Sequence, residues 1–374
     1  GGDRNPKIWD LREELPKGVE LLPEGINLDN CKKIRFSSDG RTIAALTSDN
    51  MIQIWIQDEE EVLLADSTDL PPDNSANTTE PEQMQDKPVR LSIDPLPEII
   101  RQRLSLAVPP VAQGADRIWE AAKGNFISTS PDGAIVAKSD DTGIELFDIG
   151  ASKFDSFSRQ ELQFSPVRVF DFLVSTTSSD KKSYRLISNG DNNTVVLWDI
   201  VFKENLYQLE NPVALKGHSS PVYSAAVSPD AKTLVSGDWA GNIIVWNLLS
   251  LRQVAKVHAH DGLVKSLDIS SDGRWIASGS EDKTTKVWDY RKANSGVLAA
   301  PVEVLDFSTP VWCARFSPDS QVLAVGGMYK PICVWNTAGF EKIGLLGASQ
   351  NTWHLEFSPN GLRLIAARSS AFEV

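Results

Sequence analysis

Residues 262–289 read GLVKSLDISSDGRWIASGSEDKTTKVWD. The segment begins just after His260. It runs through an alternating stretch to a Ser-Asp-Gly turn at Ser271–Gly273, then through Trp275–Ser280 to a tight turn at Glu281-Asp282, and closes on Lys286-Val287-Trp288-Asp289. Short alternating runs bounded by such turns read as antiparallel strands.

The same pattern returns along the chain, and repeats take precedence over any local reading. Its closing signature recurs as Ile8-Trp9-Asp10, Ile54-Trp55, Leu146-Phe147-Asp148, Leu197-Trp198-Asp199, Val245-Trp246-Asn247 and Val334-Trp335-Asn336. From Trp198 the successive spacings are 48, 42 and 47 residues. Turns of the Ser-x-Asp/Asn type lie upstream: Ser37–Gly40, Ser130–Gly133, Ser228–Asp230, Ser317–Asp319 and Ser358–Gly361.

On these residues the chain resembles the tryptophan–aspartate (WD) repeat family. The resemblance implies an all-β fold: a single seven-bladed β-propeller of four-stranded antiparallel blades, spanning 1–374 as one domain. We place blades at roughly 31–65, 124–163, 166–216, 222–258, 263–308 and 311–347, with a seventh starting at Asn351. Within that seventh blade, Thr352–Phe357 reads as strand a and Leu362–Arg368 as strand b. The N-terminal segment is expected to complete it, with Pro6–Leu11 as strand c and Val19–Pro23 as strand d. Alternatively, Ala371–Val374 is strand c. Closing the ring leaves no exposed sheet edge between blades.

The interval after Trp55 breaks the period, because 69 residues separate it from the strand expected at 124. An insertion is therefore expected at 66–116. Its part 66–88 is acidic and nearly devoid of large apolar residues, a composition that buries no core. Its part 95–107 has apolar residues at helical spacing, with Asp94 as a cap and Pro109-Pro110 as a stop. Residues 89–119 could instead form an eighth blade, but Trp119 leaves no room for an outer strand.

The formal charge is −13, unevenly spread. Asp58 to Lys87 holds ten carboxylates and one lysine, −9 of the total, so the rest carries −4. No basic footprint of a general nucleic-acid binder exists at this level. No apolar run is long enough to span a bilayer, and no signal pattern opens the chain. Cys31, Cys313 and Cys333 lack metal or disulfide spacing and suit a reducing, cytoplasmic setting as small core residues. We expect a portion of a longer protein.

The resemblance also implies a structural tetrad of His, Ser/Thr, Asp and Trp in each blade. His260, Ser278, Asp282 and Trp288 match it fully. The His218 blade has Ser236 and Trp246, but Ala240 stands at the Asp position. The Trp198 blade keeps Ser188 and Asn192. The other blades hold Ala45, Ala137 and Val325 at the Ser position. A His–Ser–Asp set suggests a hydrolase, but the resemblance implies a buried hydrogen-bond chain instead. Sequence patterns for metalloproteases, nucleophile elbows, P-loops and dinucleotide folds are absent. The four histidines offer no metal spacing, so no cofactor or metal is expected.

In propellers of this family the d–a and b–c connections ring one face, where partners commonly dock. The register places Lys32, Arg168, Tyr223, Lys265, Trp312 and Trp353 there from strand a. Trp239, Glu281 and Met328 come from the b–c turns. Aromatic, Met and Arg residues on an exposed surface are those of an interaction hot spot. We therefore expect a non-enzymatic scaffold that binds a protein or peptide of acidic or mixed character, as the sensing or recruiting module of a multidomain protein. The acidic part of the insertion would compete for this face. One alternative is an enzyme or small-ligand binder using the central channel, with Asp140, Asp191 and Glu281 at its mouth. Another is a single-stranded nucleic-acid binder, recognised by steep salt dependence.

Overall fold

A serine hydroxyl sets the start of the second strand in sheet after sheet. In the computed structural model, Ser37, Ser130, Ser228, Ser270, Ser317 and Ser358 are all buried. The Oγ of each accepts the backbone N–H of the residue five positions on, at 2.8–3.0 Å. In five of them the same hydroxyl donates to the Asp or Asn two residues later, at 2.5–2.8 Å. The Ser-x-Asp spacing thus encodes a local side-chain turn that joins two antiparallel strands.

The structure describes residues 7–10, 18–19, 31–37, 42–46, 52–56, 126–149, 157–162, 166–175, 183–292, 298, 300–361 and 363–369. The expected insertion at 66–116, with its acidic part 66–88 and its helix near 95–107, lies outside them, as does 371–374.

Strands β1 (Lys7–Asp10) and β2 (Gly18–Val19) come first. β3 (Lys33–Phe36), β4 (Thr42–Leu46) and β5 (Ile52–Ile56) form a three-stranded sheet. β6 (Phe126–Thr129), β7 (Ile135–Ser139), β8 (Gly143–Asp148) and β9 (Phe157–Glu161) form a four-stranded one. Three more follow: β10 (Val169–Ser175) to β13 (Leu206–Leu215), β14 (Val222–Val227) to β17 (Arg252–His258), and β18 (Val264–Ile269) to β21 (Glu303–Asp306). Each is antiparallel and in chain order.

The last sheet is compound. β22 (Val311–Phe316), β23 (Val322–Gly327) and β24 (Lys330–Asn336) pair in order with the first half of β25 (Lys342–Phe357). The second half of β25 pairs with β26 (Arg363–Ser369). β26 then pairs with β1, Ile365 opposite Ile8, and β1 with β2. The two ends of the chain thus share a sheet. Cys31, Ile34 and Ala45 of the first sheet pack on Ile365 and Ala367 of the last.

Neighbouring sheets pack face to face through apolar clusters. One joins Val235, Ile243 and Val245 to Val264, Leu267, Ile276 and Trp288. Another joins Trp275, Ala277 and Val287 to Val311, Ala314, Leu323 and Trp335. Each interface is close at one repeated glycine. A Cβ on Gly237, Gly279 or Gly326 would come within 2.5–2.6 Å of Val264, Val311 or Thr352, the strand-a residue of the next sheet.

Two sheets carry a complete polar chain. Trp288 Nε1 donates to Ser278 Oγ at 3.0 Å, which lies 2.8 Å from His260 Nε2. His260 Nδ1 is 2.8 Å from Asp282 Oδ2. A carboxylate only accepts, so Nδ1 carries the proton and Nε2 accepts the serine hydroxyl. The preceding sheet repeats this with Trp246, Ser236 and His218 at 2.7–2.8 Å. There the carboxylate is Asp238, 2.8 Å from His218 Nδ1. Sequence alignment puts Ala240 at this position. The structure corrects that reading: an Asp at the end of the strand reaches the same histidine from two residues earlier. In the sheet of Trp198 only its bond to Ser188, at 2.9 Å, remains. Where Ala137 replaces the serine, an ion cluster crosses the strands. Lys138 pairs with Glu145 at 2.8 Å, and Arg159 contacts both Glu145 and Asp140.

Ser236→Ala and Ser278→Ala each orphan a buried indole N–H and an imidazole nitrogen. At roughly 1–3 kcal/mol per orphaned group, both variants are expected to lower the urea midpoint by similar amounts. Asp238→Ala should be as damaging as Asp282→Ala. A change within about 0.5 kcal/mol, typical of a surface site, would contradict the paired geometry. A pH dependence follows as well. Burial alone would raise the Asp282 carboxyl, but hydrogen bonds from His260 and Thr284 hold it well below its ordinary value. Asp238 is lowered likewise by His218 and Asn242 against the opposing effect of burial. Groups depressed in the folded state stabilise it above the ordinary carboxylate pKa of about 3.9 and lose that contribution as pH falls through the folded value. Acid titration of stability should therefore be flatter below about pH 4 in Asp282→Asn than in the parent protein.

Candidate interaction face

Strand a carries an irregularity near its start in β10, β14, β18, β22 and β25, but not in β3 or β6. The ladder skips a residue at Tyr223, Lys265, Trp312 and Trp353, so two residues there oppose one on strand b. Such bulges re-aim the side chain they carry. In β10 the skip falls at Phe170 instead, and Arg168 is held just before it by its own N–H to Asn189 Oδ1 at 2.7 Å.

The bulged residues meet in one continuous series. Lys33 Nζ stands 5.4 Å from the Phe126 ring centre. The Arg168 guanidinium lies 5.4 Å from Phe126 and 4.4 Å from Tyr223. Lys265 Nζ is 5.3 Å from Tyr223 and 5.8 Å from Trp312. Trp312 and Trp353 are stacked, 4.2 Å apart at 21°. Trp239 meets Tyr223 edge-on at 6.2 Å and is 53% exposed, while Trp353 is 43% exposed. Cations over ring faces are attracted by the ring quadrupole, so each member holds its neighbour in place.

Not all the expected residues join this series. Lys32 is exposed at the start of β3, but Lys33 is the residue over Phe126. Glu281 accepts from Lys265 Nζ at 2.9 Å. Met328 is half-buried, its N–H bonded to Pro310 O at 3.1 Å. The exposed aromatic beside it is Tyr329, 45% exposed. Phe126, Lys33 and Tyr329 were one register position away from those chosen on sequence.

Arg168 is the electrostatic exception. Burial pushes its guanidinium down. It is 8% exposed, and its Nε has no acceptor among the described residues. Lys33 is likewise driven down by burial, then by Arg35 and Arg315.

The channel-mouth carboxylates do not converge. Asp140 pairs with Arg159 at 2.8 Å, Asp191 bonds Asn192 at 3.0 Å, and Glu281 holds Lys265. Among the described residues no three His, Cys, Asp or Glu side chains are placed to hold a metal ion. Ser278 and Ser236 are fully buried and each accepts an indole N–H, so neither hydroxyl meets a substrate. The three cysteines are buried and free; burial pushes the Cys31 and Cys313 thiols up to about 12. Titratable groups instead converge deeper in the channel. Arg35, Ser128, Asp171, Asp268, Arg315 and Glu356, two or three residues further along their strands than the face, line a cavity of about 250 Å³.

No helix among the described residues is long and apolar enough to cross a membrane. A family model for the WD domain, G-beta repeat, matches residues 210–247, 251–289 and 300–336. The chain is 30% identical over 199 residues to apoptotic protease-activating factor 1 of Homo sapiens, covering 51% of this chain and 15% of that protein. It is 29% identical over 178 residues to transcription factor unc-37 of Caenorhabditis elegans, 47% of this chain and 27% of that one. Over 141 residues it is 30% identical to transducin-like enhancer protein 2 of Mus musculus, 38% of this chain and 17% of the relative. It therefore spans between 15% and 27% of the length of these relatives. Each family match runs through the strands whose bulges carry Tyr223, Lys265 or Trp312, and these three stretches of the chain are WD repeats by that model.

Proposed function

We propose that this chain is a non-enzymatic interaction scaffold that docks a protein segment bearing carboxylates across Arg168, Tyr223, Lys265, Trp312 and Trp353. The observation that carries the reading is the linked series of cations and rings. It ends in a stacked indole pair and contains a desolvated guanidinium with a donor that has no acceptor. A buried charge without a partner is costly, and a carboxylate from outside would supply both the charge and the acceptor. A rigid aromatic anchor next to a charge clamp is the make-up of an interface hot spot. The relatives are WD-repeat proteins several times longer than the matched region, which supports a module within a larger chain. We read the fold as a seven-bladed ring closed by the N-terminal strands, and the acidic stretch 66–88 as a competitor for the face.

The test is binding of the intact chain to an array of peptides of graded charge. Acidic, aromatic-containing peptides should be preferred. Arg168→Ala and Trp312→Ala/Trp353→Ala should each weaken them about tenfold or more, as hot-spot truncations do. Unchanged peptide affinity in both variants would remove the face from consideration. Tight binding of single-stranded oligonucleotides that collapses between low and moderate salt would favour nucleic acid instead.

A further inference from the structure

At the turn end of strand a, the cavity of about 250 Å³ gathers two guanidiniums, three carboxylates and the hydroxyls of Ser128, Thr129 and Ser271. The guanidiniums are already engaged. Arg35 Nη1 donates to Glu356 Oε2 at 2.8 Å. Arg315 Nη1 donates to Ser266 Oγ, Leu267 O and Ala314 O at 2.9–3.2 Å, and its Nε lies 4.0 Å from the same Glu356 oxygen. These contacts hold Glu356 ionised; against the effect of burial its carboxyl is drawn down to about 2.

Asp171 and Asp268 differ. Asp171 Oδ1 accepts Phe172 N–H at 2.9 Å and Asp268 Oδ2 accepts Phe316 N–H at 2.7 Å. Neither forms an ion pair or a hydrogen bond with a cationic side chain among the described residues. Burial accordingly pushes both carboxyls up, Asp268 to about 6. Ser128, across the same cavity, is 1% exposed, and its hydroxyl has no partner among the described residues. Buried polar groups are rarely left so. The rest of the lining mixes the hydroxyls of Thr129 and Ser271 with the apolar Phe36, Ile269, Phe316, Pro318 and Phe357.

We propose that this cavity binds a primary ammonium group on an alkyl stem. An ammonium has three N–H donors, and Asp171, Asp268 and Ser128 are three groups able to accept them. The stem would lie against the phenyl rings and Ile269. The volume, just under the roughly 300–1,000 Å³ of drug-sized sites, suits a short alkylamine or one lysine side chain. A carboxylate or phosphate would meet three carboxylates and two guanidiniums that are already engaged. The site lies further along strand a than the docking face, and Lys33 feels the charge of Arg35 and Arg315.

Free amine and lysine side chain share this chemistry, and two probes separate them. Thermal unfolding of the intact chain is followed with butylammonium, with the capped tripeptide acetyl-Gly-Lys-Gly-amide, and with butyrate as the anion of matching size. A ligand that binds only the folded state raises Tm. Butylammonium or the tripeptide should raise it by a few degrees and butyrate should not; the tripeptide's response tells whether a side chain on a peptide reaches the cavity. Calorimetric titration should show about tenfold weaker binding in Asp171→Asn and in Asp268→Asn, each losing one charge-assisted bond. The amide oxygen can still accept the Phe172 or Phe316 N–H, so folding is expected to survive. Stabilisation by butyrate, amine binding unchanged in both variants, or no response to either amine would overturn the proposal. The probe comparison on the unsubstituted chain decides the matter even if a variant fails to fold.

Discussion

A buried hydroxyl that accepts a backbone N–H five residues ahead is the bond on which the rest of this molecule depends. It recurs at Ser37, Ser130, Ser228, Ser270, Ser317 and Ser358. A slip of one residue would exchange the two faces of a strand, so a device that fixes register locally reinforces what burial already demands. Here the serine pins the last residue of strand a to the first of strand b. Every position counted back along strand a is then fixed, including the bulge at its far end and the polar residue between. The fold needs no long-range instruction for this. Six local turns repeat it, and packing of neighbouring sheets does the rest.

The two ends of strand a are charged differently. At its start, Arg168 and Lys33 stand against rings. At its end, Asp171 and Asp268 accept backbone amides and share a cavity with Arg35 and Arg315, without a direct ion pair among the described residues. Both sets are removed from bulk water, and ordinary desolvation would favour pairing them with each other. They are kept apart by position on the strand, the face at its start and the cavity two or three residues on. Unpaired buried charges of opposite sign at separate ends contribute nothing to folding. Perturbed groups of this kind tend to gather at functional sites.

What could be read from the sequence was what local chemistry dictates. The Ser-x-Asp turns and the indoles of Trp198, Trp246 and Trp288 are visible because each is short-range and repeated. The second polar chain was hidden because the carboxylate in it, Asp238, sits on the strand end rather than in the turn, and alignment by turn positions passed over it. Phe126 and Lys33 were missed by one residue, since β3 and β6 lack the bulge that β14, β18 and β22 carry and no residue type announces the difference. The cavity groups were overlooked for a further reason. Arg35, Asp171, Asp268, Arg315 and Glu356 come from separate strands far apart in the chain, so each looks like an isolated surface charge until the strands are brought together.

The bulge itself explains why one strand serves both ends. Side chains of a regular strand alternate, so residues three apart face opposite ways. In β18 and β22 the pattern of exposure is instead buried, partly exposed, buried, buried, partly exposed, buried. The partly exposed members are Lys265 and Asp268 in one, Trp312 and Arg315 in the other. The same spacing places Trp353 and Glu356 on β25. One extra residue at the start of the strand resets the alternation, and two positions three apart then share the channel side. Without it Lys265 and Trp312 would turn toward the apolar layer that holds Leu267 and Ala314, where a charge and a bulky indole have no room. The distortion is therefore the device that lets β18, β22 and β25 each contribute one residue to the face and one to the cavity.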